Sequence, residues 1–318
     1  MSSSYEHRLA ELADEPLREA GATSGLFRGA VRSWKDIWAH RELLGLLVRR
    51  ELKSRYKDSL LGFFWSLMKP LTMLLIYYIA LGRFLGAERG VPDFAIFIYT
   101  GLTAWGLFSD AVSAGTGSIV NNSGLIKKVY LPREIFPLAT VGSAMFNFGI
   151  QLVILFLATV VAGKIPTGER WWYLPISFAV VVVTAIGWVL FLSAVNVYLR
   201  DVQYLTEIGL MIAFWASPIV YAWSMVTGQV SSPLLLNLYL TNPVTIGILG
   251  FQKAFWVGGD GGPIPPDATP EQIVLLTPQP FPDDLVMRLW IWLGVGLVFT
   301  FLAQRLFARL QGNFAQEL

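Results

Sequence analysis

Residues 34–81 read WKDIWAHRELLGLLVRRELKSRYKDSLLGFFWSLMKPLTMLLIYYIAL and join two stretches with different patterns. In residues 34–59, apolar side chains recur at every fourth position from Leu44 to Tyr56 beside a row of basic residues. This pattern is typical of an amphipathic helix that lies on a membrane surface. Residues 60–81 hold one charge, and as a helix they would span about 33 Å, enough to cross a hydrocarbon core of roughly 30 Å. The chain is therefore predicted to lie on the cytoplasmic face and then to cross the membrane.

The composition indicates the same class of protein. Of the 318 residues, 54% are hydrophobic and only 14% are charged, and the mean hydropathy is +0.55. Soluble domains carry about 25% charged residues, so this chain has too little polar surface to enclose a water-soluble core. The net charge of +2 is too small to favour nucleic acid as a partner, and the absence of cysteine excludes disulfides and thiolate metal sites. We expect an all-α integral membrane protein.

Apolar segments divide the chain into six predicted transmembrane helices. The spans are residues 60–81, 94–120, 135–161, 172–198, 204–221 and 285–307. A polar N-terminal tail (1–33) and the amphipathic helix (34–59) precede the six-span domain (60–310), and a short C-terminal tail (311–318) follows it. Residues 222–284, between spans five and six, are too interrupted to cross the membrane simply. Short re-entrant or interfacial helices are predicted there, with a flexible external loop at 258–270.

The distribution of basic residues predicts the orientation. With the N-terminus inside, 17 of the 24 Lys and Arg residues fall in cytoplasmic segments, six fall outside and Lys69 lies within span one. The positive-inside rule therefore predicts a multi-pass protein of the plasma (inner) membrane with both termini cytoplasmic.

Several kinds of chemistry are missing from the sequence. No GxxxxGK[ST] motif is present, so the chain carries no P-loop. The two histidines, His7 and His40, both lie in the N-terminal segment, which argues against a metal cluster or a Ser-His-Asp site. A membrane glycosyltransferase would have only Asp283 and Asp284 as external catalytic acids, and these are better interpreted as a helix N-cap. A proton-coupled secondary transporter would need ionisable groups near mid-membrane, where Lys69 is almost alone.

Four segments carry a resemblance to a known family. They are RRELKSRYKDSLLGFFWSLMKP (49–70), NNSGLIKKVYLPREIFPL (121–138), YLRDVQYL (198–205) and SPIVY (217–221) followed by NPVTIGILGFQKAFW (242–256). In order and spacing they resemble the permease subunits of type-2 ABC exporters, the subfamily that exports O-antigen, teichoic acid and other lipid-linked polysaccharides. Within that subfamily the chain is similar to the actinobacterial permeases for lipid-linked cell-wall galactan.

The resemblance implies a homodimer of this subunit with two copies of a separate ATPase, which binds ATP and Mg. The substrate would be a polyprenyl-diphosphate-linked glycan carried from the cytoplasmic to the outer side, and the chain itself would be no enzyme. The residues implied to contact the ATPase are Arg49, Lys53, Arg55, Tyr56, Leu125, Lys127, Lys128, Tyr130, Arg133, Arg200 and Asp201. The alternative for the basic members is anchoring to anionic lipid, at about 1 kcal/mol per residue.

Two further predictions concern the substrate. Lys69 is predicted to face the protein interior or the cytoplasmic gate and to contact the diphosphate, the alternative being that it snorkels to the membrane surface. Aromatic side chains are predicted to line a conduit enclosed by the dimer, since their faces suit the C-H faces of sugar rings. These are Tyr77, Tyr78, Phe97, Trp105, Phe108, Phe214, Trp215 and Tyr221. The alternative is that aromatic residues near span ends form interfacial belts.

Overall fold

The computed structural model describes residues 26–56, 64–84, 86, 91–128, 131–260 and 281–318. The described chain is helical and contains no strand, which confirms the all-α prediction. Its α-helices are α1 (Leu26–Ala39), α2 (Arg41–Tyr56), α3 (Phe64–Tyr77), α4 (Phe94–Thr116), α5 (Ser118–Asn121), α6 (Ser123–Ile126), α7 (Ile135–Val161), α8 (Tyr173–Tyr198), α9 (Val202–Trp215), α10 (Trp223–Gln229), α11 (Pro233–Tyr239), α12 (Pro243–Phe255), α13 (Leu285–Leu310) and α14 (Phe314–Glu317).

Four helical segments in the described chain are long and apolar enough to cross a membrane. They are Phe94–Thr116, Ile135–Val161, Gly168–Tyr198 and Leu285–Asn313. The pair α11 and α12 forms a fifth candidate, although the two helices are bent by 86° at the break between them. The chain is therefore a membrane protein with four or five candidate spans.

Two of the six predicted spans are shorter than expected. In the region of span one, α3 contains Pro70 and continues into a π-helical turn, Tyr78–Phe84, and the apolar helix runs only from Pro70 to Phe84. In the region of span five, α9 has 14 residues, about 21 Å of helix, against the roughly 30 Å of a hydrocarbon core. The six-span count stays a prediction.

The N-terminal region also differs in detail from the sequence pattern. Residues 34–59 were expected to form one amphipathic helix, but α1 ends at Ala39 and α2 begins at Arg41, with a turn at His40. Short helices are present between the regions of spans five and six, where the sequence predicts them. Most of the predicted external loop 258–270 lies outside the described residues.

Helix α8 lies at the centre of the fold and is apolar all round. It packs in parallel beside α13, where the Thr300 hydroxyl donates to the Val183 carbonyl at 2.8 Å and the Tyr198 hydroxyl donates to Leu310 at 2.8 Å. On its other sides lie α4 and α12, whose buried side chains form two hydrophobic clusters with those of α8.

Hydrogen bonds connect the loops at one end of the bundle. The Trp256 indole N-H donates to the Pro92 carbonyl at 2.6 Å, and Arg170 donates to the Lys253 carbonyl at 2.7 Å. Because these contacts hold the start of α4, the start of α8 and the end of α12 together, this end is firmly joined. The predicted orientation would make it the outer end.

Candidate functional site

The segments with the implied ATPase contacts meet at the other end of the bundle. A single hydrophobic cluster there contains Leu47 of α2, Ile126 of α6, Phe136 of α7, Val197 of α8 and Phe307 of α13. The N-terminal helices, the loop after α4, the end of α8 and the C-terminus therefore lie on one side of the molecule. This arrangement agrees with the side on which the basic residues were predicted to gather.

Helix α2 uses its apolar side for packing within the protein. Leu47 is buried, and Leu43, Leu44 and Val48 pack around it in the same cluster. The Arg50 guanidinium, one turn after Leu47 on the same side of the helix, donates to the Asn122 side chain in the turn before α6. The apolar stripe that predicted a membrane-surface helix is thus partly covered by protein, which sequence periodicity cannot distinguish from contact with lipid.

Six of the implied coupling residues are exposed at this end. They are Arg49, Lys53, Lys127, Lys128, Arg200 and Asp201. Leu125 is instead partly buried in the hydrophobic cluster, so it holds the loop in place. Tyr130 lies outside the described residues, as do the side chains of Arg55, Tyr56 and Lys69 on described helices.

Arg133 contacts its own C-terminal segment. Its guanidinium donates to the Gln311 carbonyl and lies over the Phe314 ring, 5.8 Å from the ring centroid. The loop that follows α6 is thereby connected to the end of α13. Within this chain, Arg133 positions that loop.

A buried carboxyl group that the sequence analysis did not single out lies beside Arg133. Glu134 is 2% exposed, and its Oε1 accepts a hydrogen bond from the Ser33 hydroxyl of α1 at 2.9 Å. Burial raises the pKa of Glu134, and its hydrogen bonds, including the one from Ser33, partly oppose that rise. This contact fixes α1 against the start of α7. A carboxylate directly before a long apolar run was the only available signal.

Five of the predicted conduit residues form one aromatic group between α3, α4 and α9. The Phe214 ring centroid lies 6.1 Å from that of Tyr77, 5.8 Å from that of Trp105 and 5.5 Å from that of Trp215. Phe108 joins the group through Trp105 at 5.8 Å. In a single chain Trp105 and Phe108 are buried, whereas Trp215 is 55% exposed. Trp215 is thus the member of the group most open to the surroundings.

In the described part of the chain, the other three predicted conduit residues make no ring pair with this group. Phe97 has no exposed surface because Trp256 covers it, with ring centroids 4.8 Å apart. Tyr78 pairs with Arg83, whose guanidinium lies over its ring. Tyr221 lies just beyond α9 and donates its hydroxyl hydrogen to the Trp215 carbonyl.

Of the two acids considered for a glycosyltransferase, Asp284 contacts a basic residue of its own helix. Asp284 stands at the N-cap position of α13, as the sequence predicted, but its side chain makes no cap hydrogen bond. Its carboxylate accepts from Arg288 at 2.7 Å, and Arg288 also donates to Asn237 of α11 at 2.7 Å. Asp284 thus positions Arg288, and the Arg288 guanidinium joins α13 to α11.

Comparison with known proteins identifies the family. The model of the ABC-2 type transporter family matches residues 42–256, which is more than half of the chain. The chain belongs to the ABC-2 type transporter family. The matched range runs from α2 to the residue after α12 and so includes the basic end, the aromatic group and the bent helix pair. The resemblance to type-2 ABC exporter permeases is confirmed.

Relatives with known roles agree with this family. The chain is 30% identical over 230 residues to the O-antigen export system permease protein RfbA of Myxococcus xanthus, with 71% of this chain and 85% of the relative covered. It is 28% identical to the protein of the same name from Klebsiella pneumoniae over 68% of this chain and 81% of the relative. It is 25% identical to the polysialic acid transport protein KpsM of Escherichia coli over 60% of this chain and 74% of the relative.

Proposed function

We propose that this chain is the membrane subunit of an ATP-driven exporter that moves a lipid-linked polysaccharide from the cytoplasmic to the outer side of the inner membrane. The observation that carries the proposal is the match to O-antigen export permeases over 85% of a relative's length. The capsule and polysialic acid export proteins among the relatives extend the same substrate class. The narrower identification as a galactan exporter rests on the four sequence motifs.

ATP hydrolysis would be performed by a separate subunit. The sequence has no P-loop, so ATP and Mg would be bound by two copies of a partner ATPase. The exposed residues Arg49, Lys53 and Lys127 and the turn at Arg200 form the docking surface in this proposal, while Leu125 and Arg133 hold that surface in shape. Both termini would then be cytoplasmic.

The proposed homodimer forms across the flank made by α3 and α9. In α9 only Thr206 is buried, and large apolar side chains such as Ile208, Met211 and Ile212 are more than half exposed. The aromatic group lies at the inner side of this flank. Two copies facing each other would enclose a conduit between them, with α3 and α9 completing six spans in each subunit.

A sliding glycan needs many weak and similar contacts, because a strong specific site would hold it in place. Aromatic faces provide such contacts, and the hydroxyl groups of Tyr77 and Tyr221 add polar ones. Trp215, Phe214 and Tyr77 are the members with exposed surface in one subunit, so they are proposed to meet the sugar first. Lys69 is proposed to receive the diphosphate of the polyprenyl carrier.

Reconstitution of the chain with its ATPase tests the proposal. Proteoliposomes that contain the complex and a polyprenyl-diphosphate glycan should expose the glycan to a membrane-impermeant lectin only when ATP is supplied. The control is the same complex with the P-loop lysine of the ATPase replaced. Export without the ATPase but dependent on a proton gradient would support the secondary transporter, and glycan extension from a sugar donor would support the glycosyltransferase.

A further inference from the structure

The turn between α9 and α10 differs sharply from the helix that precedes it. In α9 thirteen of fourteen residues are at least partly exposed, whereas Ser217, Pro218, Ile219 and Val220, which follow the exposed C-cap residue Ala216, are all buried. A largely uncovered helix therefore ends in a turn that the protein interior holds firmly.

Buried side chains of α12 make the contacts that hold the turn. The Gln252 side-chain amide donates to the Pro218 carbonyl at 2.7 Å, and the Ser217 hydroxyl lies 3.3 Å from the Thr245 hydroxyl. The Ser217 hydroxyl is also within 2.8 Å of the Ala213 carbonyl in the last turn of α9. Ser217, Thr245 and Gln252 are each at most 1% exposed.

Among the described residues, Gln252 donates a hydrogen bond to the backbone of the turn from a different helix. A carbonyl buried without a partner is costly, and Pro218 itself lacks the N-H that could join the turn to its neighbours. The neighbouring α12 is in turn fixed, since eleven of its thirteen residues are buried. Gln252 thus anchors the turn after α9 to a helix that is held in place by its burial.

A second contact connects the same turn to α11. The Tyr221 hydroxyl donates to the Trp215 carbonyl at 2.8 Å and lies 3.3 Å from the Tyr239 hydroxyl, which is then the donor of that pair. The Trp215 carbonyl at the end of α9 is therefore capped by Tyr221 of the turn. The same Tyr221 hydroxyl also contacts Tyr239 of α11, a member of the bent helix pair.

We infer that the turn at Ser217–Tyr221 is a fixed pivot for α9 and that Gln252 is the positioning residue that fixes it. The inference rests on the proposed export function, in which two copies enclose a conduit at the flank made by α3 and α9. About this pivot, α9 swings at its Val202 end, roughly 21 Å away along the helix, while its Trp215 end stays in place. The motion of the docked ATPase would enter at the Arg200 turn and end at the pivot.

Spin labels on this naturally cysteine-free chain test the pivot. Tyr204 and Ala216 lie near opposite ends of α9 and both are exposed, so Tyr204→Cys and Ala216→Cys each accept a label. Distances between the two labelled copies are measured in the complex with and without a non-hydrolysable ATP analogue. We expect a clear change at position 204 and little change at position 216. Equal changes at both positions, or a larger one at 216, would overturn the pivot.

Gln252→Leu tests the positioning role. In this variant position 216 should move together with position 204, while the complex still assembles. Export should fall about tenfold, the order expected from losing one buried hydrogen bond. Gln151→Leu, the same change at another buried glutamine, is the matched control and should leave the pattern at 204 and 216 unchanged. Normal export and an unchanged pattern in Gln252→Leu would refute the assignment.

Two further outcomes separate this inference from the proposed function. If Gln252→Leu fails to assemble, Thr245→Val is used instead, because it removes the hydroxyl beside Ser217 and keeps the side-chain shape. In this variant position 216 should move more than in the unmodified complex, but less than expected for Gln252→Leu. An unchanged distance at position 216 would count against the pivot. If the unmodified complex moves at position 204 and not at position 216 but exports no glycan, the proposed function is wrong and the pivot stands. If it exports glycan and the two positions move equally, the pivot alone is wrong.

Discussion

Helices α9 and α12 have nearly the same sequence character and opposite environments. Each is short and apolar with a single charged residue, Glu207 in α9 and Lys253 in α12. Yet α9 buries one of fourteen residues and α12 buries eleven of thirteen. Lipid tails are as apolar as leucine, so hydropathy alone does not say whether a helix faces lipid, a second subunit or its own core.

The largest expected effect concerns the basic end, where the ATPase is proposed to dock. Leu125 packs in the hydrophobic cluster at the basic end, so Leu125→Glu would place a charge there and displace the loop. We expect export to fall by about a hundredfold, corresponding to roughly 3 kcal/mol, while ATP hydrolysis by the complex continues. The measurement is export and hydrolysis in the same proteoliposomes.

The control for this variant is Lys127→Ala on the exposed side of the same loop, with an expected loss of about threefold or less, as for a single exposed ion pair. Full export by Leu125→Glu would show that the loop does not couple the two subunits.

A glycine in each helix gives the next comparison. A methyl group at Gly250 of α12 would overlap the Ser177 hydroxyl, whereas nothing lies within 4 Å of the position it would take at Gly209 of α9. Gly250→Ala should lower the stability of the solubilised protein by about 1–3 kcal/mol through overpacking. Gly209→Ala should be neutral or slightly stabilising. Thermal unfolding in detergent measures both.

Ser177→Ala in the Gly250→Ala background should restore part of the lost stability, since it removes the overlapping oxygen. Equal stability of the two glycine variants would mean that α12 is not the fixed helix.

Thiol accessibility gives a smaller effect. Trp215→Cys on α9 should react with a water-soluble thiol reagent during turnover at least about tenfold faster than Phe251→Cys on α12, since access governs the reaction. Trp105→Cys and Phe108→Cys should react slowly in the resting state and faster during turnover if the aromatic group lines the conduit. Labelling followed by mass spectrometry reports all four positions.

If cysteines at 105, 108 and 215 all stay unreactive and the corresponding alanine variants export normally, these side chains face lipid. The conduit would then be lined by other residues, and α9 would be exposed to the bilayer instead.

The smallest effect concerns the buried carboxyl group at the basic end. Because the folded protein raises the pKa of Glu134, the docking of α1 is most stable below the ordinary carboxyl pKa of about 4.3 and weakens as the pH rises through the raised value. Glu134→Gln should remove this pH dependence and keep a partner for Ser33. Glu134→Ala should lose about 1 kcal/mol at low pH, where the carboxyl is neutral. Limited proteolysis of α1 between about pH 4 and about pH 8 measures the docking.

Sequence reasoning went furthest where residue type and spacing act locally. The long apolar runs predicted α7, α8 and α13 closely, and the turn residues and prolines predicted the short helices after α9. It failed to separate α1 from α2, since periodicity continues across the turn at His40. The aromatic residues were chosen by type and helical face, so Phe97 was grouped with Trp105 although Trp256 covers it from a distant part of the chain.

The sequence by itself determined the membrane class and the family, because hydropathy and ordered motifs are properties of the chain alone. It could not determine the hydrogen bond between Glu134 and Ser33 or the one between Gln252 and Pro218. The partners in these pairs are separated by 101 and 34 positions in the sequence. Only the tertiary structure decided which apolar helix is fixed and which is uncovered. The reason is that burial within a membrane protein depends on packing between helices. The transfer of apolar side chains from water into an apolar environment favours α9 and α12 alike, so it does not distinguish them.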